Sequence, residues 1–277
     1  ESFRKLGASE RAVLRGMLGI GSHAGAVAKL EDGRVTITAG DGFAARALVV
    51  MPEGKAKGIT IAIPRQDQTA EEFAVGSRAK MLTGRGELVL VAVTTPRTPG
   101  PQIAEVVKRL RDNNRRRFLH RLAFVVGKTL TGLEVEQVMA LRDAARERHP
   151  GMAVKLYGEE QGAVTALLAA AVDTGFAGAE VDGGFSSSAD VAEQPMDQML
   201  YGQLLHFSGA EFAGLVAPRP LAVVSNNADE FARAESYYQA AGKLGALRRM
   251  EAETESAPST KGSAFADENF DALHRYL

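Results

Sequence analysis

Cysteine is absent from the 277 residues. That excludes disulfides, iron–sulfur clusters, thiolate zinc sites and cysteine nucleophiles, and it suits an oxidising or a reducing compartment equally. Histidine is scarce: five residues, widely spaced and without an HExxH, so a histidine-built metal site is not expected. Neither sign of charge is in excess, with 33 Lys and Arg against 34 Asp and Glu. Global charge therefore gives no reason to expect a nucleic-acid partner. No apolar run approaches the roughly 18 residues of a membrane span. Neither a GxGxxG nor a Walker A pattern occurs, so nucleotide phosphate binding is unsupported and no cofactor is expected. No internal repeat is visible, and localisation stays open between exported and cytoplasmic.

What is present is an alternation of short apolar runs with helical patterns. Gly58–Ile63, Leu88–Val93, Ala153–Tyr157 and Leu221–Val224 are nearly continuous in apolar and β-branched residues. A parallel sheet covered on both faces requires such strands. Ala177–Val181 reads as a weaker one. Helical periodicity lies between them at Thr69–Leu82, Ile103–Arg111, Leu133–Arg148, Ala163–Asp173 and Glu230–Lys243, and again at Ala266–Tyr276. Alternating strands and helices predict an α/β fold: a doubly wound, mostly parallel sheet with helices on both faces. Val35–Thr38 and Ala47–Met51 come after Asp-Gly turns and predict antiparallel strands at a sheet edge. Residues 1–20 predict an amphipathic helix packing on the rest, with Ser9 as N-cap and a stripe of Val13, Leu14, Met17 and Leu18. No Pro/Gly-rich linker divides the remainder of the chain, so residues 21–277 read as a single domain.

The sharpest local feature is Tyr157-Gly158-Glu159-Glu160-Gln161-Gly162-Ala163. A strand ends at Tyr157 and a helix starts after Gly162. Paired glycines let a strand turn sharply into a closely packed helix and thrust the middle residue, Glu160, up at the end of the sheet. Here the chain resembles the α/β-hydrolase superfamily, and more narrowly its acetyl-xylan-esterase-like and dienelactone-hydrolase-like branch. Gly127–Val138 resembles the segment before the elbow, and Leu215–Asn226, with its Ala-Pro-Arg-Pro turn, resembles the strand leading to the catalytic acid.

The resemblance implies a nucleophile, an acid and a base at three positions, and all three carry unexpected residues or weak candidates. Glu160 stands where the family has Ser. Asp229, with Asn227 as the near alternative, falls where the acid comes after its strand. Lys261 falls, within a residue or two, where the family has His. Pro64 and Arg65 occupy the loop that helps form the oxyanion hole, and Pro64 has no N–H to donate. Gln161 would offer the other oxyanion N–H. A lysine of ordinary pKa near 10.4 is a poor base; it would instead pair with Glu160 or Asp229. The expectation is a catalytically inactive α/β-hydrolase-like protein, a pseudoenzyme serving as a binding, scaffolding or companion domain. The alternative is a carboxylic-ester hydrolase with rearranged groups, acting on acylated carbohydrate. Plainer readings stand beside these: Glu160 as a carboxylate at a helix N-terminus, Asp229 as the N-cap of Glu230–Lys243, and Lys261 as a solvated side chain.

Lys108–Arg121 holds Lys108, Arg109, Arg111, Arg115, Arg116, Arg117 and Arg121 against Asp112 alone. This run suits an acidic or polysaccharide ligand, or an acidic protein partner, and equally a solvated insertion. His206, in the loop-rich stretch Ser186–Glu211, is the one histidine whose position suggests reach into a cleft.

Overall fold

Among the described residues, the apolar runs assemble into one nine-stranded sheet. The computed structural model describes residues 4–21, 27–38, 44–93, 112–192, 198, 200–225 and 227–250, without the side chains of 112–116, 191 and 192. The strands are β1 (Val27–Glu31), β2 (Arg34–Thr38), β3 (Ala44–Val50), β4 (Gly58–Ile63), β5 (Glu87–Ala92), β6 (Val154–Glu159), β7 (Ala179–Asp182), β8 (Leu221–Val224) and β9 (Leu247–Met250). Their order across the sheet is β1-β2-β3-β5-β4-β6-β7-β8-β9. Pairing is antiparallel from β1 to β5 and parallel from β5 to β9. Every residue of β4 and β5 is buried, because helices cover both faces.

The helices are α1 (Ala8–Leu18), α2 (Ala70–Val75), α3 (Ser77–Gly84), α4 (Asp112–Val125), α5 (Leu130–Arg148), α6 (Gln161–Val172), α7 (Ser188–Ala192), α8 (Gln203–His206), α9 (Gly209–Val216) and α10 (Ala228–Ala240). One face of the sheet packs Ile59, Ile61 and Leu156 against α1, α5, α6, α9 and α10. The other packs Val89, Val91 and Tyr157 against Phe73, Ala79 and Leu82 of α2 and α3. This is the α/β-hydrolase fold. Helix α6 is buried along its whole length apart from Val164, which fits its run of alanines: small side chains let it lie close under the sheet while α5, α9 and α1 pack on it.

Several elements differ from the sequence-based expectation. The helix expected over Thr69–Leu82 is two, broken at Gly76, whose extended backbone (φ −75°, ψ 171°) ends α2 and starts α3. Ser9 is not the N-cap of α1; Gly7 is, and the Glu10 carboxylate accepts the Gly7 N–H at 3.0 Å. Helix α5 starts three residues early because the Thr129 hydroxyl caps it, accepting from Gly132 N–H at 2.9 Å. Strands β1 and β9 have no counterpart among the predicted strands. The short β1 is mostly exposed, and β9 (Leu-Arg-Arg-Met) carries two arginines, so neither has an apolar run to reveal it. Ile103–Arg111 and Ala266–Tyr276 lie outside the described residues.

Candidate functional site

Register brings the site together. Ile63 of β4 pairs with Gly158 of β6, and Glu159 of β6 pairs with Asp182 of β7. Three strands thus end side by side, and the next residues, Pro64, Glu160 and Gly183, share that edge.

Glu160 stands at the bend between β6 and α6 with φ 46° and ψ −111°. A non-glycine residue pays strain for such a conformation. Its surroundings dictate the bend. The Glu160 N–H donates to the Asp182 carbonyl at 2.7 Å, and its own carbonyl accepts from Ala163 N–H at 3.1 Å. A Cβ on Gly158 would stand 2.5 Å from the Gly162 carbonyl oxygen, and one on Gly162 would stand 2.2 Å from that of Ile63. Both positions therefore admit only hydrogen. The frame holds the strained middle residue whatever its side chain. The Glu160 side chain is exposed and has no hydrogen-bond or ion-pair partner among the described residues.

Beside the bend lies a cluster of charges. Glu159 points away from Glu160 into the α3 side of the sheet. Its carboxylate accepts from the Tyr157 hydroxyl at 2.9 Å and lies 3.3 Å from the Arg78 guanidinium of α3. Arg78 also reaches Asp182 at 3.1 Å. Burial raises the Glu159 carboxyl above the usual carboxylate range, against the pull of Tyr157 and Arg78. Burial likewise pushes the Tyr157 hydroxyl well up, so it stays a donor. Arg78 and Asp182 carried no signal in the sequence beyond one cation in a helical pattern and one acid at a strand end.

Of the oxyanion-loop positions, Pro64 is buried and Arg65 is half-buried with an ion pair to Asp67 at 3.0 Å. Gln161 is buried, and both polar atoms of its side-chain amide lack a hydrogen-bond partner among the described residues. Its N–H is one of the groups that a helix start leaves without an intrahelical partner.

Asp229 lies exposed in the first turn of α10 and is not its N-cap. Asn227 is: its side-chain oxygen accepts from Glu230 N–H at 3.0 Å. The neighbouring Glu230 is the buried acid. It takes hydrogen bonds from Ala210 N–H at 2.7 Å, from Arg233 at 2.9 Å and from the Ser208 hydroxyl, tying α10 to the start of α9. Lys261 lies outside the described residues, and with it the expected pairing to Glu160 or Asp229.

The described histidines stand elsewhere. His206, at the end of α8, lines a cavity of about 500 Å³ with Arg4, Glu10, Glu211 and Arg233. His120 is buried in α4. His149 ends α5 and precedes β6, at the other end of that strand from Glu160. A cation is tolerated at such a helix end, but burial first, and then Arg148, lower the His149 pKa. Part of the basic run Lys108–Arg121 is helix: α4 exposes Arg117 and Arg121. Its start, 108–111, lies outside the described residues. No helix among the described residues is long and apolar enough to cross a membrane.

No family model matches the chain, and no curated protein matches it either. Solved structures do. A protein described as a candidate acetyl xylan esterase from Bacteroides fragilis aligns over 92% of this chain and 77% of its own, with TM-score 0.70 at 12% identity. A family 15 carbohydrate esterase, a glucuronoyl esterase from Caldicellulosiruptor kristjansonii, aligns over 95% and 82%, with TM-score 0.58 at 12% identity. A glucuronoyl esterase from Teredinibacter turnerae aligns over 97% and 84%, with TM-score 0.56 at 13% identity. At these identities the likeness is one of fold. The class defined is an α/β-hydrolase-like protein similar in structure to carbohydrate esterases.

Proposed function

We propose that this chain is a non-hydrolysing protein of the α/β-hydrolase fold, a binding or companion domain that keeps the elbow and has given up the nucleophile. One observation carries the reading: the residue at the bend is a carboxylate, exposed and without a described partner, in a backbone frame that glycines impose on any occupant. Acyl transfer needs a nucleophile, a base near neutrality and donors for the oxyanion. The bend offers no hydroxyl. A carboxylate there accepts hydrogen bonds from ligand hydroxyls but does not form the acyl ester of the serine route. The structural neighbours point to an acylated carbohydrate as the ligand to try first.

The second reading is a carboxylic-ester hydrolase with Glu160 as its working group. It is favoured by the esterases among the similar structures and by the buried, unpartnered Gln161 amide beside the bend. One experiment separates the two. Acetylated xylo-oligosaccharide is titrated calorimetrically while released acetate is measured, on the unaltered chain and on Glu160→Gln. Heat of binding without acetate release supports the first reading. Acetate release that Glu160→Gln abolishes overturns it.

A further inference from the structure

Strand β1 ends the sheet on one side, and among the described residues nothing pairs with its outer edge. The register shows which backbone groups that edge presents. The Val49 N–H donates to the Gly33 carbonyl at 2.8 Å. The odd-numbered residues of β2 therefore turn their N–H and C=O groups to β3, and the even-numbered ones turn theirs to β1. Thr38, Thr36 and Arg34 stand opposite Val27, Lys29 and Glu31. Those three residues of β1 bond to β2, and Ala28 and Leu30 point their backbone groups outward. No hydrogen bond to the backbone of either is present among the described residues. A row of unpaired donors and acceptors is a template for another strand.

The side chains select which strand. Lys29 and Glu31 share one face of β1, both are exposed, and neither has an ion-pair partner among the described residues. Since the outward groups sit on even-numbered residues alone, two antiparallel copies of β1 can pair in few ways. Centred on Lys29, the pairing sets lysine against lysine. Centred on Glu31, it sets glutamate against glutamate. Centred on Ala28, it sets Lys29 against Val27. Centred on Leu30, it sets Lys29 of each copy against Glu31 of the other. Those two pairs then fall at the closely spaced, non-hydrogen-bonded positions, while the two Leu30 residues exchange backbone hydrogen bonds across the axis.

We propose that β1 pairs antiparallel with β1 of a second copy of this chain, about a two-fold axis at Leu30, joining two sheets into one through two Lys29–Glu31 ion pairs. The strand has five residues, too few for the roughly 800 Å² per partner of a standard interface, so the dimer is weak and reversible. The axis reverses every strand, so the two Glu160 edges face opposite ways. The pairing is independent of the function proposed for the elbow.

The experiment is sedimentation velocity on the whole chain from about 5 to 500 µM, the span that a weak interface requires. A monomer–dimer equilibrium is expected. Lys29→Glu and Glu31→Lys each replace two attractions by two repulsions and should weaken the dimer by about tenfold or more. The double variant Lys29→Glu with Glu31→Lys should restore it. That double variant keeps any disturbance within the hairpin and removes only the clash between copies, so a merely structural effect of the single changes gives no recovery. Leu30→Pro removes an outward N–H and spares the β1–β2 ladder; it should abolish the dimer, and thermal melting reports whether it folds. The charge variants, at exposed positions, keep the test decisive if it does not. A monomer at every concentration, a dimer indifferent to the single charge variants, a double variant that stays dissociated, or a dimer that persists in folded Leu30→Pro would each overturn the proposal.

Discussion

The carboxyl and amino ends of the sheet's parallel strands are built on opposite principles. At the carboxyl end, backbone meets backbone. Gly158 and Gly162 bring α6 so close to β4 that no side chain fits, and beside them Arg78 pairs with Glu159 and Asp182. At the amino end, side chains stand apart. Ala144 and Ala145 of α5 leave an apolar cavity of about 430 Å³ under strands β1, β2 and β3. The first end is rigid and intolerant of added atoms. The second has room to spare. A frame that exacting keeps its shape whatever side chain stands at its middle, because the glycine contacts hold it.

Added atoms break the comparison most directly. Gly162→Ala forces a methyl group into the Ile63 carbonyl, 2.2 Å away, and should destabilise by about 3 kcal/mol or more; denaturant titration reads it. Ala144→Leu, at the other end, should be neutral or stabilise by about 0.5–1 kcal/mol through filling the cavity. Equal losses in both variants would erase the contrast. Arg78→Ala leaves Glu159 and Asp182 without their shared cation and should cost about 1–2 kcal/mol, since the cluster is only partly buried. Glu160→Gly relieves the positive φ and should raise stability by about 1 kcal/mol. A loss instead would mean that the Glu160 side chain helps to hold the bend.

The smallest effects are in pH, and they run in opposite senses. Burial holds the Glu159 carboxyl above its ordinary 4.5. The stability it contributes is present below that value and is lost as pH rises through the raised one. Burial and Arg148 hold His149 below its ordinary 6.5. Its contribution is present above 6.5 and is lost as pH falls through the lowered value. Unfolding free energies measured against pH should lose the first slope in Glu159→Gln and the second in His149→Gln.

The parallel strands other than β9, and the elbow, were legible because their signals are local: continuous apolar runs, and two glycines framing three residues. The same holds for Glu160, whose place at the bend is set by those glycines. What was not legible depends on partners distant in sequence. Arg78 matters because α3 lies beside the ends of β6 and β7. Glu230 is buried and Asp229 exposed because of which side of α10 meets Ser208 and Ala210 at the start of α9. No pattern in residues 227–233 distinguishes the two acids. The cavity is harder still, since it consists of side chains too small for the surface they face, and smallness reads in a sequence as ordinary helix.

The most direct measurement of the central claim is the rate of p-nitrophenyl acetate cleavage by the unaltered chain and by Glu160→Gln, side by side from acid to alkaline pH. A non-hydrolysing elbow predicts two coincident profiles, neither rising above that of the same protein after heat denaturation. A rate specific to the folded, unaltered chain and missing from Glu160→Gln would contradict it.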